Sequence, residues 1–138
     1  NVIFISGKNK KLKDEATRYV EDNFCYNVQV LGYSTDVLNL MKISDLVISK
    51  PGGATVTECL EMRVPMLLVP GVGGQEKYNA RFIKKNKYGI KVRWLFRFKN
   101  VLKKIDSNPK ILSDMKNNIN KQDHNDSVKK ISELIEKL

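Results

Sequence analysis

Cysteine, histidine and long apolar runs are scarce in this 138-residue chain, and each scarcity closes a class of function. Cys25 and Cys59 are the only cysteines. They are too few for a disulfide scaffold and are not spaced as a CxxC pair, so a zinc site has no ligand set. They read as small buried thiols in a reducing compartment. The single histidine, His124, stands in a polar stretch near the end and reads as a solvated imidazole. One imidazole assembles no Ser/His/Asp or Cys/His triad. No uninterrupted apolar run approaches the roughly 20 residues of a membrane span. No basic-then-apolar leader opens the chain, so secretion is not expected. Neither GxGxxG nor GxxxxGK(S/T) occurs, which removes the dinucleotide and P-loop fingerprints. Acidic residues are missing from one long stretch. Between residues 77 and 104 there are 11 Lys or Arg and no Asp or Glu.

The composition that remains is that of an ordinary folded domain. It is 41% hydrophobic and 29% charged, too apolar for a disordered tail. A chain of this length buries roughly two thirds of its unfolded surface and builds a core without staples. It opens on Asn1 and enters a strand-like run at once, as expected of a fragment cut at a domain boundary. The net charge of +10 is placed unevenly: residues 1–70 carry 8 basic and 8 acidic groups, so the excess lies in the second half. That asymmetry points to an anionic partner, which is nucleic acid, phosphate or a membrane surface.

Strand and helix alternate five times. Val2-Ile3-Phe4-Ile5 reads as a buried strand ending at Ser6-Gly7. Leu12, Ala16, Val20 and Phe24 then recur as one face of a helix. Val28-Gln29-Val30-Leu31 is a second strand, stopped by Gly32. A short helix on Val37, Leu40 and Met41 follows, capped by Ser34, Thr35 or Asp36. Residues 45–49 form a third strand, broken by Lys50-Pro51-Gly52-Gly53, and residues 55–62 suit a helix. Met66-Leu67-Leu68-Val69 is a fourth strand between two prolines. A helix over about residues 76–87 and a fifth strand near residues 89–92 complete the series. The remainder reads as helical, with Leu95, Phe98, Leu102 and Ile105 on one face and Val128, Ile131, Ile135 and Leu138 on another. The strands are continuous apolar runs rather than alternating ones. That is the pattern of a parallel sheet covered on both faces, a doubly wound α/β domain over residues 1–138.

In such a sheet ligands bind beyond the carboxyl ends of the strands, so the loops that follow strands carry the information. In Lys50-Pro51-Gly52-Gly53-Ala54-Thr55 the two glycines let a ligand approach the backbone, and the next helix offers free N–H groups to an anion such as a diphosphate. The loop alone reads equally as a turn. Glu58 is placed either to favour the helix start or to take two ribose hydroxyls. Gln75, Glu76 and Asn79 open the next helix after Gly71-Val72-Gly73-Gly74, with positions 75 and 79 on one face. They read as caps or as holders of a sugar.

Taken together, three segments are far more specific. Lys50-Pro51-Gly52-Gly53-Ala54-Thr55-Val56-Thr57-Glu58, then Val64-Pro65-Met66-Leu67-Leu68-Val69-Pro70, then Gly74-Gln75-Glu76-Lys77-Tyr78-Asn79-Ala80 resemble the family 28 glycosyltransferases. The likeness is to their C-terminal, nucleotide-sugar-binding domain. It is strongest to the glycolipid branch, the monogalactosyldiacylglycerol synthases and diacylglycerol glucosyltransferases, through the Gly-Gln-Glu-x-x-Asn form. The start, Ser6-Gly7-Lys8-Asn9-Lys10-Lys11-Leu12, is similar to the first strand and loop of that domain. Gly73 departs from the pattern, since the glycolipid branch often has Pro there.

The resemblance implies a Rossmann-like C-terminal half of a two-domain GT-B fold, with the N-terminal acceptor domain outside this chain. It implies that Gly52, Gly53, Ala54 and Thr55 meet the diphosphate and that Glu58 takes the ribose. Gln75, Glu76 and Asn79 would hold the donor sugar. Tyr33 and Ser34 match the segment that reads uracil, and Ser6 and Gly7 would line the phosphate side. The reaction implied is hexose transfer from a UDP-sugar to a diacylglycerol-type lipid, with no cofactor and no metal expected. No catalytic residue is assigned here, because the family's base lies in the other half. The implied setting is cytoplasmic and peripheral, on the inner face of the cell membrane. Two other readings compete: a UDP-sugar epimerase on the same scaffold, and a basic nucleic-acid-binding module in which Trp94, Phe96 and Phe98 interleave with Arg93, Arg97 and Lys99. No RRM, KH or zinc pattern supports the latter, and no nucleic-acid partner is expected. Tyr78, Phe82, Trp94 and Phe98 are expected to pack inside, and part of the basic stretch 77–104 to face an anionic membrane surface.

Overall fold

The computed structural model describes residues 1–121 and 132–136. His124, Val128, Ile131 and Leu138 lie outside the described residues, whereas Ile135 sits in a helical turn and is exposed. The chain divides into two compact units, Asn1–Val37 and Leu38–Leu138.

The first unit is a strand–helix–strand crossover. Strand β1 (Val2–Ile5) pairs in parallel with β2 (Val28–Leu31), with Val2 opposite Val28 and Ile5 opposite Leu31. Helix α1 (Lys10–Asp22) joins them. Its start is set by Asn9, whose side-chain oxygen accepts the Leu12 N–H at 3.0 Å. Its end differs from the expected apolar face. Phe24 lies past the helix, in the left-handed region at φ 51°, and is exposed. The Phe24 N–H bonds to the Glu21 carbonyl and the Cys25 N–H to the Val20 carbonyl, a Schellman closure with Phe24 where glycine is usual. The chain must reverse there to start β2, and that reversal takes Phe24 off the helix face.

The second unit carries α2 (Val37–Lys42, beginning at the boundary), β3 (Val47–Ser49), α3 (Gly53–Glu61), β4 (Met66–Leu68), α4 (Gln75–Lys85) and β5 (Gly89–Lys91). A 3₁₀ turn (Leu95–Arg97), α5 (Phe98–Ser107) and α6 (Lys110–Asn120) follow. Strands run β3-β4-β5, all parallel, with β4 central. The unbroken apolar character of β4 now has its reason: Met66, Leu67 and Leu68 are each at most 1% exposed, covered on both faces. Cys59 and Leu60 of α3, Ala80 and Ile83 of α4, and Met115 and Ile119 of α6 complete this core. The parallel α/β architecture expected from the apolar runs is therefore present, with its described strands hydrogen-bonded in two sheets.

Helices α3 and α4 end as α1 does. Arg63 and Lys87 take the left-handed position at φ 57° and 58°. The next residues, Val64 and Tyr88, bond back to the Cys59 and Ile83 carbonyls and are themselves buried. A buried apolar residue after the cap holds each reversal closed.

The aromatic residues of the basic stretch do not pack as expected. Tyr78 and Trp94 are exposed, Phe82 is 42% exposed and Phe98 is half-buried. On α4 the buried stripe runs through Ala80 and Ile83, flanked by half-buried Glu76, Asn79 and Asn86. Tyr78 and Phe82 fall more than a right angle away from it at 100° per residue. Phe82 meets Tyr88 edge-on at 5.9 Å, and Tyr78 lies 5.9 Å from the Arg81 guanidinium.

Cys59 is fully buried, and Cys25 is only partly so. Burial first, and the Glu58 charge second, push the Cys59 thiol up to about 12 from 9.0. The folded state thus holds the proton that the unfolded chain releases. Cys59 contributes its full share of stability below about pH 9 and loses it as the pH rises toward 12. Urea unfolding across this range should show a midpoint that falls with pH, with a shallower slope in Cys59→Ala. Identical slopes in the two proteins would contradict the burial.

Candidate donor-binding loops

In the second unit, two loops that follow strands converge. Helix α3 starts at Gly53, two residues before the expected Thr55, with Gly52 as its cap residue. Gly52 has no side chain to offer, so no side-chain cap closes the helix start. The first N–H groups of a helix have no carbonyl behind them. Those of Gly53, Ala54 and Thr55 therefore sit at the positive end of α3, as an anion site requires. Thr57 Oγ1 donates to the Gly53 carbonyl at 3.1 Å and steadies this turn.

The second loop leads into α4, which begins at Gln75, one residue earlier than expected. Gly73 and Gly74 have φ of 114° and 55°. Proline, locked near −65°, cannot take the Gly73 conformation, so the departure from the glycolipid pattern at this position has a backbone consequence. Two side chains from the first turns of α4 reach the α3 start. Asn79 Nδ2 donates to the Pro51 carbonyl at 2.9 Å. Gln75 Nε2 and Asn79 Nδ2 lie 3.7 and 4.0 Å from where a Cβ on Gly53 would stand. A Cβ at Gly53 would thus stand in ordinary van der Waals contact with these two amides.

Glu76 is engaged differently. Its Oε2 accepts the Val72 N–H at 2.8 Å, closing the glycine loop on itself. Its Oε1 pairs with Lys50 Nζ at 3.5 Å. A side chain at Gly71 would collide with the Glu76 carboxylate. So Glu76 shapes the loop with both oxygens, and Lys50, part of the sequence motif but given no role there, joins the group. Its position directly before Pro51-Gly52-Gly53 was the available signal. The pair is half-exposed and worth at most about 1 kcal/mol. Glu58 lies on the second turn of α3, half-buried. Among the described residues its carboxylate has no hydrogen-bond or ion-pair partner.

In the first unit, Ser6, Gly7 and Tyr33 line a pocket of about 330 Å³ together with Lys8, Lys10 and Lys13. Ser6 Oγ donates to the Leu31 carbonyl at 3.2 Å, tying the loop after β1 to the end of β2. Gly7 takes φ 61°, a turn that favours glycine. Lys8 Nζ lies 5.4 Å from the centre of the Tyr33 ring. Ser34 Oγ accepts the Asp36 N–H at 3.1 Å, which shapes the turn ahead of α2. Lys10 and Lys13, three residues apart on α1, were not singled out from sequence. A larger concavity of about 530 Å³ lies between α5 and α6, lined by Leu102, Ile105, Pro109 and Leu112. It brings together none of the candidate residues.

The family model for the glycosyltransferase family 28 C-terminal domain matches residues 1–134. The chain is 35% identical over 121 residues to a processive diacylglycerol beta-glucosyltransferase of Bacillus licheniformis, covering 86% of this chain and 30% of the relative. It is 40% identical over 88 residues to the enzyme of that name from Staphylococcus saprophyticus, covering 64% of this chain and 22% of the relative. With that of Bacillus subtilis it shares 41% over 81 residues, covering 59% and 21%. The chain thus spans between about a fifth and a third of the length of these curated relatives. A parallel α/β chain whose glycine loops lead into helices without side-chain caps, matched by this model over nearly its whole length, belongs to glycosyltransferase family 28 as its C-terminal domain.

Proposed function

We propose that this chain is the donor-binding half of a hexosyltransferase that moves a sugar from a UDP-hexose to a diacylglycerol-type lipid at the cytoplasmic membrane face. The observation that carries the reading is the α3 start, left without a side-chain cap, with the Gln75 and Asn79 amides beside Gly53. Glycosyl transfer from a nucleotide sugar leaves a diphosphate whose negative charge grows as the glycosidic bond breaks. The N–H groups of Gly53, Ala54 and Thr55, the positive end of α3 and the Lys50 ammonium stabilise that charge, and this reading needs no metal. Because the helix fixes these N–H groups before any ligand arrives, little reorganisation is spent on them when the bond breaks. Glu58 takes the ribose hydroxyls as charge-assisted acceptor, and Gln75 and Asn79 hold the sugar hydroxyls. Glu76, tied to Val72 and Lys50, keeps the glycine loop in shape for them. The acceptor lipid and the base that activates it belong to the half of the enzyme not represented in this chain.

Titration calorimetry of this chain with UDP and with ADP is the test. Weak binding of UDP, weaker binding of ADP and no turnover of a UDP-hexose are expected, since half of a cleft buries less of its ligand. No heat with UDP at millimolar concentration, or equal heat with ADP, would overturn the assignment.

A further inference from the structure

The largest departure from the expected packing lies just past β5. Trp94 is 57% exposed and Phe96 73% exposed. They are held out by a short, anchored turn. Before it, the Val92 N–H donates to the Leu68 carbonyl at 2.9 Å, and Val92 is buried. Within it, the Arg97 N–H donates to the Trp94 carbonyl at 3.0 Å, closing the 3₁₀ turn. After it, Ile105 plugs α5 into the core. The Arg97 guanidinium lies 5.8 Å from the Phe96 ring. Arg93, Arg97 and Lys99 are exposed, and Lys103 follows Lys99 one turn later on α5. No carboxylate occurs anywhere between residues 77 and 104 to balance them.

We infer that residues 93–99 form a docking surface for an anionic phospholipid bilayer, with Trp94 and Phe96 entering the interfacial layer and Arg93, Arg97 and Lys99 meeting lipid phosphates. The inference rests on the reading of the chain as part of a lipid-modifying transferase. Aromatic side chains with one face apolar and cations beside them suit the depth of the headgroups. A run of cations without an acid has the complementary charge to an anionic leaflet, where each is attracted within a Debye length. The hydrogen-bonded turn already holds both aromatics out from the core, so no buried contact has to break for them to insert. Contact through these groups is reversible and needs no span, and no described helix is long and apolar enough to cross a membrane.

Trp94 is the only tryptophan of the chain, so its emission reports on this turn alone. Vesicles of phosphatidylglycerol should shift that emission to the blue, and lipids brominated on the acyl chain should quench it. Vesicles of phosphatidylcholine should do neither, and raised salt should reverse the shift. Phe96→Ser keeps the reporter and the net charge, and should weaken partition onto phosphatidylglycerol vesicles about tenfold. The same variant should bind UDP as the parent chain does. Sedimentation with anionic vesicles while the emission stays unmoved would overturn the inference, since the basic face would then act by charge alone. Equal binding to both lipids, or an emission shift with single-stranded oligonucleotide and none with vesicles, would also overturn it. Loss of UDP binding beside an intact vesicle response would count against the donor reading only, so the two failures are separable.

Discussion

Glu58→Gln should weaken UDP binding by about 1.5–3 kcal/mol while leaving the unfolding midpoint nearly unmoved. Two facts about its place in the fold set this contrast. The carboxylate has no hydrogen-bond or ion-pair partner among the described residues, so the amide breaks no contact within the protein. It also stands on the second turn of α3, whose start is Gly53, and the helix dipole acts mainly within the first turn. A dipole role would therefore be worth less than the roughly 0.3–1 kcal/mol seen at a helix start, and would appear as lost stability. A ribose role appears in binding instead, because two hydroxyls then donate to a neutral acceptor in place of an anion. Calorimetry with UDP and urea unfolding of the same variant separate the two. An unchanged UDP affinity sinks the ribose assignment, whatever the unfolding curve shows.

Leu67→Ala is expected to lower the unfolding free energy by about 2–5 kcal/mol. Leu67 is fully buried at the middle of β4, opposite Ile48 on one side and Ile90 on the other. Removing three carbons there forfeits their transfer free energy and leaves a void. The walls have little freedom to collapse into it, since Met66 and Leu68 on either side are each 1% exposed. Against a total stability of about 5–15 kcal/mol for a domain, the loss is large enough to read in urea. Leu67→Met, which conserves volume, should cost under about 1.5 kcal/mol. A loss below about 1 kcal/mol in the alanine variant would mean that β4 is not the packed centre of its sheet.

The sequence by itself determined the elements and their order. A strand covered on both faces must be apolar at every position, so Met66-Leu67-Leu68 announces itself without a partner in view. Pro51-Gly52-Gly53 and Gly71 to Gly74 interrupt helix and strand alike, so the loops that carry the candidate donor residues were legible too. The family resemblance rested on those same short-range patterns, and the match over residues 1–134 bears it out.

The tertiary structure alone decided where helices stop and which face each residue shows. Phe24, Arg63 and Lys87 take a left-handed conformation that nothing in their side chains favours, and the buried residue that follows Arg63 and Lys87 holds those two reversals in place. The pairing of Glu76 with Val72 and Lys50 joins residues 4 and 26 positions apart, a geometry that helical or strand periodicity does not encode. Trp94 and Phe96 show the limit most plainly. Hydrophobicity marks a residue as able to be buried, but burial needs a facing surface. The 3₁₀ turn that follows Val92 leaves both residues more than half exposed, among the cations.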